Sequence, residues 1–471
     1  MDRLSELPDS VIFHIFWLLP MREVVRTTIL SKRWKSLWTS TPFLYFDDFF
    51  DQFDTRDKLR IFIHRALSRW DGVKVLKFKV EVEHEETIHG DVDLWVRFAM
   101  KYEVEELYLH MVIEDYVSWS GDTDHEIHCV PQFLYSCSSI KVLSITNCFF
   151  RINGDVQWNH LKSLTIVEGF GVTQHVISQI LCGSPRLELL TVAFVERGES
   201  LCIRSTSLKE LSIYKYLYEA DDPSTYTTEL GIWTPNLETL EIKGSPYDKC
   251  LLMNVSSLIR ATLGFSNLHF YDEAYCDNFC GMDGFVPRNH FFGDLFGQIL
   301  PSIQHVESVK LVSCCVKVFG AMIERCMNSS SPNVKSLQLG FYFEESYFAG
   351  IIEIFPLLKK LVIKFTKKDR HDDYREYLGF DSENYLEFEA NLPKPFLLQL
   401  RIVEVTWIEG AVIFPFLEFL LKYASKLERI VFRVKGFTSP SHPSKLLLLA
   451  SQKLLRMPKS SPAAQFIFSE Y

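Results

Sequence analysis

The hydrophobic positions of this chain change period along its length. From Val11 to Leu19 only His14 is polar, so apolar side chains would cover the whole circumference of a helix formed there, with no polar face left for water. Pro8 suits the first turn, and Asp9 or Ser10 can cap the exposed N–H groups, so the pattern predicts a helix from about residue 9 to Leu19 that is buried on every side. Two short helices follow. "MREVVRTTILS" would turn Val24, Val25, Thr28 and Ile29 inward, and "SKRWKSLWTS" places Trp34, Leu37 and Trp38 at helical spacing. Three helices in about forty residues can hide one face of the first helix but hardly both. The leftover face implies a partner, either another chain or the rest of this one.

From residue 73 a different pattern returns: apolar, two residues, apolar, one residue, apolar. It reads Val104/Leu107/Leu109, Ile140/Leu143/Ile145, Leu161/Leu164/Ile166, Leu187/Leu190/Val192, Leu208/Leu211/Ile213, Leu237/Leu240/Ile242, Val306/Val309/Leu311, Val334/Leu337/Leu339 and Leu358/Leu361/Ile363, with looser copies at Val73, Leu258, Leu400 and Leu427. With 47% hydrophobic residues such a triple arises by chance about one time in ten, so the template alone proves little. Two segments, "IKVLSITNCFF" and "VESVKLVSCCV", extend it through Cys148 and Cys314, which in a repeat would plug the turn after the strand. Stronger evidence lies upstream. Pro185, Pro235, Pro332 and Pro356 each stand two residues before a first anchor, where about half a proline is expected. Helical stretches "TQHVISQILCG", "VFGAMIERCMN" and "YFAGIIEIF" precede three of these strands. Helix, proline turn and strand together are the unit of a leucine-rich-repeat solenoid, because one unit cannot bury its own apolar face. Anchor spacing runs from 21 residues (Leu143 to Leu164) to 48 (Ala261 to Val309), which predicts long loops over 264–294 and 366–391.

Near the C-terminus "FPFLEFLLKYAS" predicts a helix with Phe416, Phe419, Leu420 and Tyr423 on one side, followed by the strand "KLERIVFRVK". A Ser/Pro-rich loop then leads to "KLLLLASQKLLRMPKSSPAAQFIFSEY".

Composition narrows the chemistry. At 471 residues the length alone suggests about three domains unless a repeat array absorbs it. A net charge of −10 argues against general binding to a phosphate backbone. The apolar run ends at Pro20, short of the roughly 20 residues a membrane span needs, and no targeting signal is visible. Eleven scattered cysteines fit reduced thiols, and so a cytoplasmic or nuclear protein. Cys276 and Cys280, with His269 and His290, have Cys-x3-Cys spacing without a second tight pair, which fits ordinary thiols better than zinc. Lys364, Lys367, Lys368 and Arg370 read as a solvated basic loop. No phosphate-cradling glycine loop, Gly-x-Ser-x-Gly elbow or His-Glu-x-x-His helix occurs, so no catalytic, cofactor or metal residues are assigned.

Residues 2–48, "DRLSELPDSVIFHIFWLLPMREVVRTTILSKRWKSLWTSTPFLYFDD", resemble an F-box of the type that opens many plant F-box proteins. The C-terminal "LRIVEV", "FLLKYASKLERIVF" and "LLRMPKSSPAAQFIF" are similar to the FBD domain that closes many of them, with Trp407-Ile408-Glu409-Gly410 replacing the usual aromatic-glycine turn. The resemblance implies an α/β protein: an F-box over 1–48, an irregular leucine-rich-repeat solenoid over 49–390, and an FBD domain over 391–471 capping its end. It also implies docking on a Skp-type adaptor through Leu7, Pro8, Ile12, Ile15, Leu18, Leu30, Ser31, Lys32 and Trp34. Met21-Arg22-Glu23 stands where the family often has Thr-Lys-Glu. The expected role is the substrate-recognition subunit of an SCF-type ubiquitin ligase, non-catalytic, reaching cullin and RING subunits through the adaptor and holding a protein substrate on the repeats. The alternative is a leucine-rich-repeat binding module acting outside ubiquitination.

Overall fold

The computed structural model describes residues 4, 6–47, 56–84, 86–113, 127–195, 200–216, 228–265, 289–312, 333–341, 355–365, 397–407, 414–434, 452, 454 and 456–470. The chain forms two compact units, residues 1–218 and 219–471.

The first unit begins with α1 (Asp9–Trp17), α2 (Met21–Arg26) and α3 (Lys32–Leu37). Then come β1 (Phe43–Asp47), α4 (Arg56–Arg69), β2 (Lys77–Glu83), α5 (His89–Lys101), β3 (Glu106–Val112), β4 (Val142–Thr146), β5 (Ser163–Gly169), α6 (Gln174–Gly183), β6 (Leu189–Val195), β7 (Leu201–Arg204) and β8 (Glu210–Tyr216). Its main ladder runs β1-β2-β3-β4-β5-β6-β8, every pair parallel.

In the second unit β9 (Glu229–Trp233) pairs β11 (Lys249–Met253) in a small sheet. The longer ladder joins β10 (Thr239–Gly244), β12 (Arg260–Phe265), β13 (Ser308–Val312), β14 (Ser336–Phe341), β15 (Lys360–Phe365), β16 (Ile402–Trp407), β17 (Arg429–Val434) and β18 (Gln465–Glu470), again all parallel. Helices α7 (Asn289–Ser302) and α8 (Phe414–Tyr423) lie in its crossovers.

Parallel neighbours cannot be joined by a hairpin, so each strand is followed by a crossover that returns the chain to the same edge. Register explains why the apolar triple recurs. Leu143 lies opposite Leu107 and Leu164, Ile145 opposite Leu109 and Ile166, so equivalent anchors stack in continuous rows. Every residue of the nine triples is buried, none more than 3% exposed. The prolines have a local cause as well. The N–H groups of Leu187, Leu237 and Leu358 donate to the carbonyls of Ser184, Thr234 and Phe355, at 3.1, 3.2 and 3.1 Å. Each closes a four-residue turn whose second residue is proline, the position that its fixed φ favours.

Several expectations need adjusting. The first repeat anchors on Val75, fully buried, rather than on Val73, 94% exposed. Val75, Phe78 and Val80 complete that triple, because Phe78 stacks on Leu107 in the ladder. Cys148 plugs the turn after β4 as expected, 0% exposed with its thiol donating to the Thr146 carbonyl at 3.5 Å, and Asn147 shares that turn. The Asn147 backbone is left-handed at φ 55°, its side chain is 3% exposed, and its Nδ2 donates to the Met111 carbonyl at 2.7 Å. Residues 289–294, expected in a long loop, open α7 instead. In α8 Leu417 and Leu421 are buried beside Phe419 and Leu420, so the inward face is broader than the expected stripe. The C-terminal segment prolongs the repeat ladder: β16 to β18 continue the register of β15, and β18 stands last with Ile467 39% and Phe468 40% exposed. The Cys314 turn, the two further helical stretches except Phe355, Pro332, Cys276, Cys280, His269 and most of both long loops lie outside the described residues.

Candidate functional site

In the three-helix segment Pro8 and Pro20 occupy equivalent places, just before α1 and α2, with nearly identical backbone angles (φ −57° and −58°, ψ 148° and 149°). Their carbonyls accept the first helical bonds, Ile12 N–H to Pro8 at 3.1 Å and Val24 N–H to Pro20 at 3.0 Å. Neither Asp9 nor Ser10 caps α1, because both lie inside the helix. Asp9 instead accepts a hydrogen bond from Arg33, tying the start of α1 to α3. Ser31 does cap: its hydroxyl accepts from the Trp34 N–H at 3.5 Å, a long bond that sets the start of α3.

The apolar circumference of α1 divides into two stripes. Ile12 and Phe16, one turn apart, are 0% and 1% exposed, as fully buried as Met21, Val24 and Trp34. The Phe16 and Trp34 rings meet edge to face at 5.5 Å. Trp17 turns to β1 and β2, with the Phe43 ring at 5.7 Å and the Lys77 ammonium 4.0 Å over its face. On the other side Val11, Ile15 and Leu18 recur at helical spacing, with Val11 42% and Leu18 67% exposed. Beyond α2, Ile29 is 88% and Leu30 46% exposed.

The expected docking residues therefore separate. Ile12 and Trp34 have their side chains inside the helical core and cannot present them to a partner; they set the positions of the helices. Leu7, Ile15 and Ser31 are partly exposed, and Pro8, Leu18, Leu30 and Lys32 are exposed. Ile29, expected inward, points out: the short 3-10 turn Thr27–Ile29 breaks the helical period that would have turned it in. Helical spacing does not reveal Val11 and Ile29 as surface residues; the structure does. Large exposed aliphatic side chains in a group of this kind are the usual mark of an interaction surface.

Among the described residues no three His, Cys, Asp or Glu side chains could hold a metal ion. Burial pushes the Cys148 thiol up and the Cys250 thiol up to about 12, which leaves both protonated and inert. No helix among the described residues is long and apolar enough to cross a membrane.

Comparison with known proteins agrees with this division. Residues 4–46, the three helices and most of β1, match the F-box domain model, and residues 92–224 match the model for the LRR repeats of FBD-associated F-box protein At5g56370. The chain thus carries one segment that matches an F-box and another that matches the repeats of FBD-associated F-box proteins. It is 27% identical to the F-box/LRR-repeat protein At3g03360 of Arabidopsis thaliana, over 93% of this chain and 85% of that one. It is 25% identical to the Arabidopsis F-box/LRR-repeat protein At5g02910, over 96% and 92%. With the Arabidopsis F-box/LRR-repeat protein At3g26922 it shares 28% identity over 56% and 82%. The helical segment is thus the F-box, and the parallel ladder after it is the repeat region.

Proposed function

We propose that this protein is the substrate-recognition subunit of an SCF-type cullin-RING ubiquitin ligase. The observation that carries the reading is the outward stripe of α1 together with Ile29 and Leu30, apolar surface that the chain itself leaves uncovered. F-box domains typically bind Skp-type adaptors, and Leu7, Pro8, Ile15, Leu18, Leu30, Ser31 and Lys32 are the accessible part of the family's docking set. On this reading the adaptor links the chain to cullin and RING subunits, while the strand ladder holds a protein substrate. The protein performs no chemistry; it raises the local concentration of substrate lysines near the ubiquitin-loaded enzyme. The chain works in the cytoplasm, the nucleus or both, where its thiols stay reduced.

The test is affinity purification of the tagged chain with the proteasome inhibited. Co-purification of adaptor, cullin and RING subunits, together with a partner that gains ubiquitin in a reconstituted reaction, is the expected result. Adaptor retained with no ubiquitin transfer to any captured partner would instead make it an adaptor-bound binding module without a degradative role.

A further inference from the structure

The strand ladder of the second unit has a charge opposite to that of the protein as a whole. Along β10 to β17 the side chains alternate between the core and the open face of the sheet, and register aligns the open-face positions in three rows. Those rows hold seven cations, Lys243, Arg260, Lys310, Lys360, Lys364, Arg429 and Arg433, against two carboxylates, Glu241 and Glu404. Both carboxylates are already engaged. Glu241 meets Lys243 at 2.6 Å, and Glu404 lies between Lys360 at 2.7 Å and Arg433 at 3.3 Å. The positions that lead into the strands are balanced by comparison, with Glu307 paired to Lys335 and Glu428 to Arg401. In the first unit the corresponding face leans the other way, with Asp47, Glu81, Glu83, Glu106 and Glu210 against Lys77 and Lys79. A local cationic surface in a chain of net charge −10 selects by sign.

The row that begins at Lys243 continues through Gly264, Val312, Gly340, Lys364, Thr406 and Arg433. Gly264 and Gly340 flank Val312, where added Cβ atoms would lie 3.3 and 3.0 Å from its side chain, so the middle of the row is low and apolar while Lys243 and Lys364 stand on either side. Val362, Val431 and Ile402 add apolar positions between the charges. Among the described side chains of these strands no aromatic occupies an open-face position, whereas single-stranded nucleic acid rests on aromatic stacking platforms.

We propose that the open face of β10 to β17 is a docking surface for an extended, acidic polypeptide segment whose carboxylates alternate with apolar side chains. Six strand-to-strand steps of about 4.8 Å span about 29 Å, the reach of roughly nine extended residues. The proposal rests on the function above only in taking that segment to belong to a substrate; the surface itself is independent of adaptor binding.

Fluorescence anisotropy of the full chain, alone and with its adaptor, tests this. The probes are a labelled decapeptide of alternating Glu and Val, the same peptide with Gln for Glu, and a single-stranded RNA decamer. The Glu peptide is expected to bind at least about tenfold tighter than the Gln peptide, more weakly as salt rises. The pair Lys364→Glu and Arg429→Glu removes at least about tenfold, whereas Arg186→Glu with Arg204→Glu, exposed positions off this face, leaves it unchanged. Circular dichroism and adaptor capture establish that both variants fold. Equal binding of the Glu and Gln peptides, tighter binding of the RNA, or indifference to Lys364→Glu/Arg429→Glu overturns the proposal. Failure of adaptor capture with the Glu preference intact would instead sink the ubiquitin-ligase reading and leave this surface standing.

Discussion

Trp34 separates residues that build the F-box from residues that the proposed function places against the adaptor. Its side chain is 2% exposed, stacked edge to face on Phe16, while its indole N–H has no hydrogen-bond partner among the described residues. Trp34→Ala removes the largest buried side chain of the three helices, and truncations of this kind cost about 3–5 kcal/mol. Loss of the unpaired donor returns about 1 kcal/mol, so about 2–4 kcal/mol remains. A helical segment of about forty residues has little stability beyond that. Trp34→Phe keeps the ring contact and drops the unpaired donor, so its cost is expected near about 1 kcal/mol or less. Hydrogen exchange of amides in α1 and α3, followed in the full chain, measures the effect. Trp34→Ala should speed exchange there roughly thirtyfold or more, leave β4 to β6 protected, and weaken adaptor capture in proportion; Trp34→Phe should do neither. Unchanged protection in Trp34→Ala with adaptor capture lost would show that Trp34 is a direct contact and that the helical core is not what positions the surface.

Two further outcomes follow from buried polar groups. Asn147→Ala leaves a buried carbonyl without its donor and forces a left-handed backbone on alanine, for a loss of about 2–4 kcal/mol in urea unfolding, while Asn147→Gly keeps the backbone geometry and loses about 1 kcal/mol less. Loss below about 0.5 kcal/mol in Asn147→Ala would mean that the turn relaxes without its side chain. His128, 3% exposed, faces His84, His89 and Asp93, and burial first, then the two histidines, lowers its pKa to about 3. The unfolded chain therefore takes up a proton below about pH 6.5 that the folded chain refuses, and stability falls as pH drops through this window. By about pH 5 the loss approaches 2 kcal/mol, offset in part by Asp93, whose burial raises its carboxyl pKa. Denaturant midpoints of the parent and His128→Phe at neutral and mildly acid pH check the sign: the variant should lose less.

The repeat ladder was legible in the sequence because its physics is local and periodic. One buried side chain every second residue, repeated from strand to strand, leaves the same triple wherever a strand occurs, and a turn that favours a fixed φ leaves a proline. Val73 misleads because an exposed valine satisfies the template as well as a buried one; only the ladder places Val75 on the core side. The apolar character of the F-box helix was legible, but not the division of its surface. Composition shows that α1 is apolar all round, whereas the separation of Ile12 and Phe16 from Val11, Ile15 and Leu18 depends on where α2 and α3 pack. Ile29 escaped for a related reason, a change from α to 3-10 winding that shifts one residue's direction. The cationic face of the second unit was hidden because its charges lie far apart in sequence, Lys243 and Arg433 being joined in one row only by register.

The central claim, that the exposed apolar surface of the F-box is where the adaptor binds, is tested most directly by replacing Leu18, Ile29 and Leu30 together with serine and measuring adaptor affinity by calorimetry. These side chains are 67%, 88% and 46% exposed, so the free chain should keep its unfolding midpoint within about 0.5 kcal/mol. Burying a large aliphatic side chain at an interface contributes about 1.5–3 kcal/mol, so losing three should weaken adaptor binding by at least a hundredfold. Full affinity in a folded triple variant would contradict the claim and return α1 to the role of an internal packing helix.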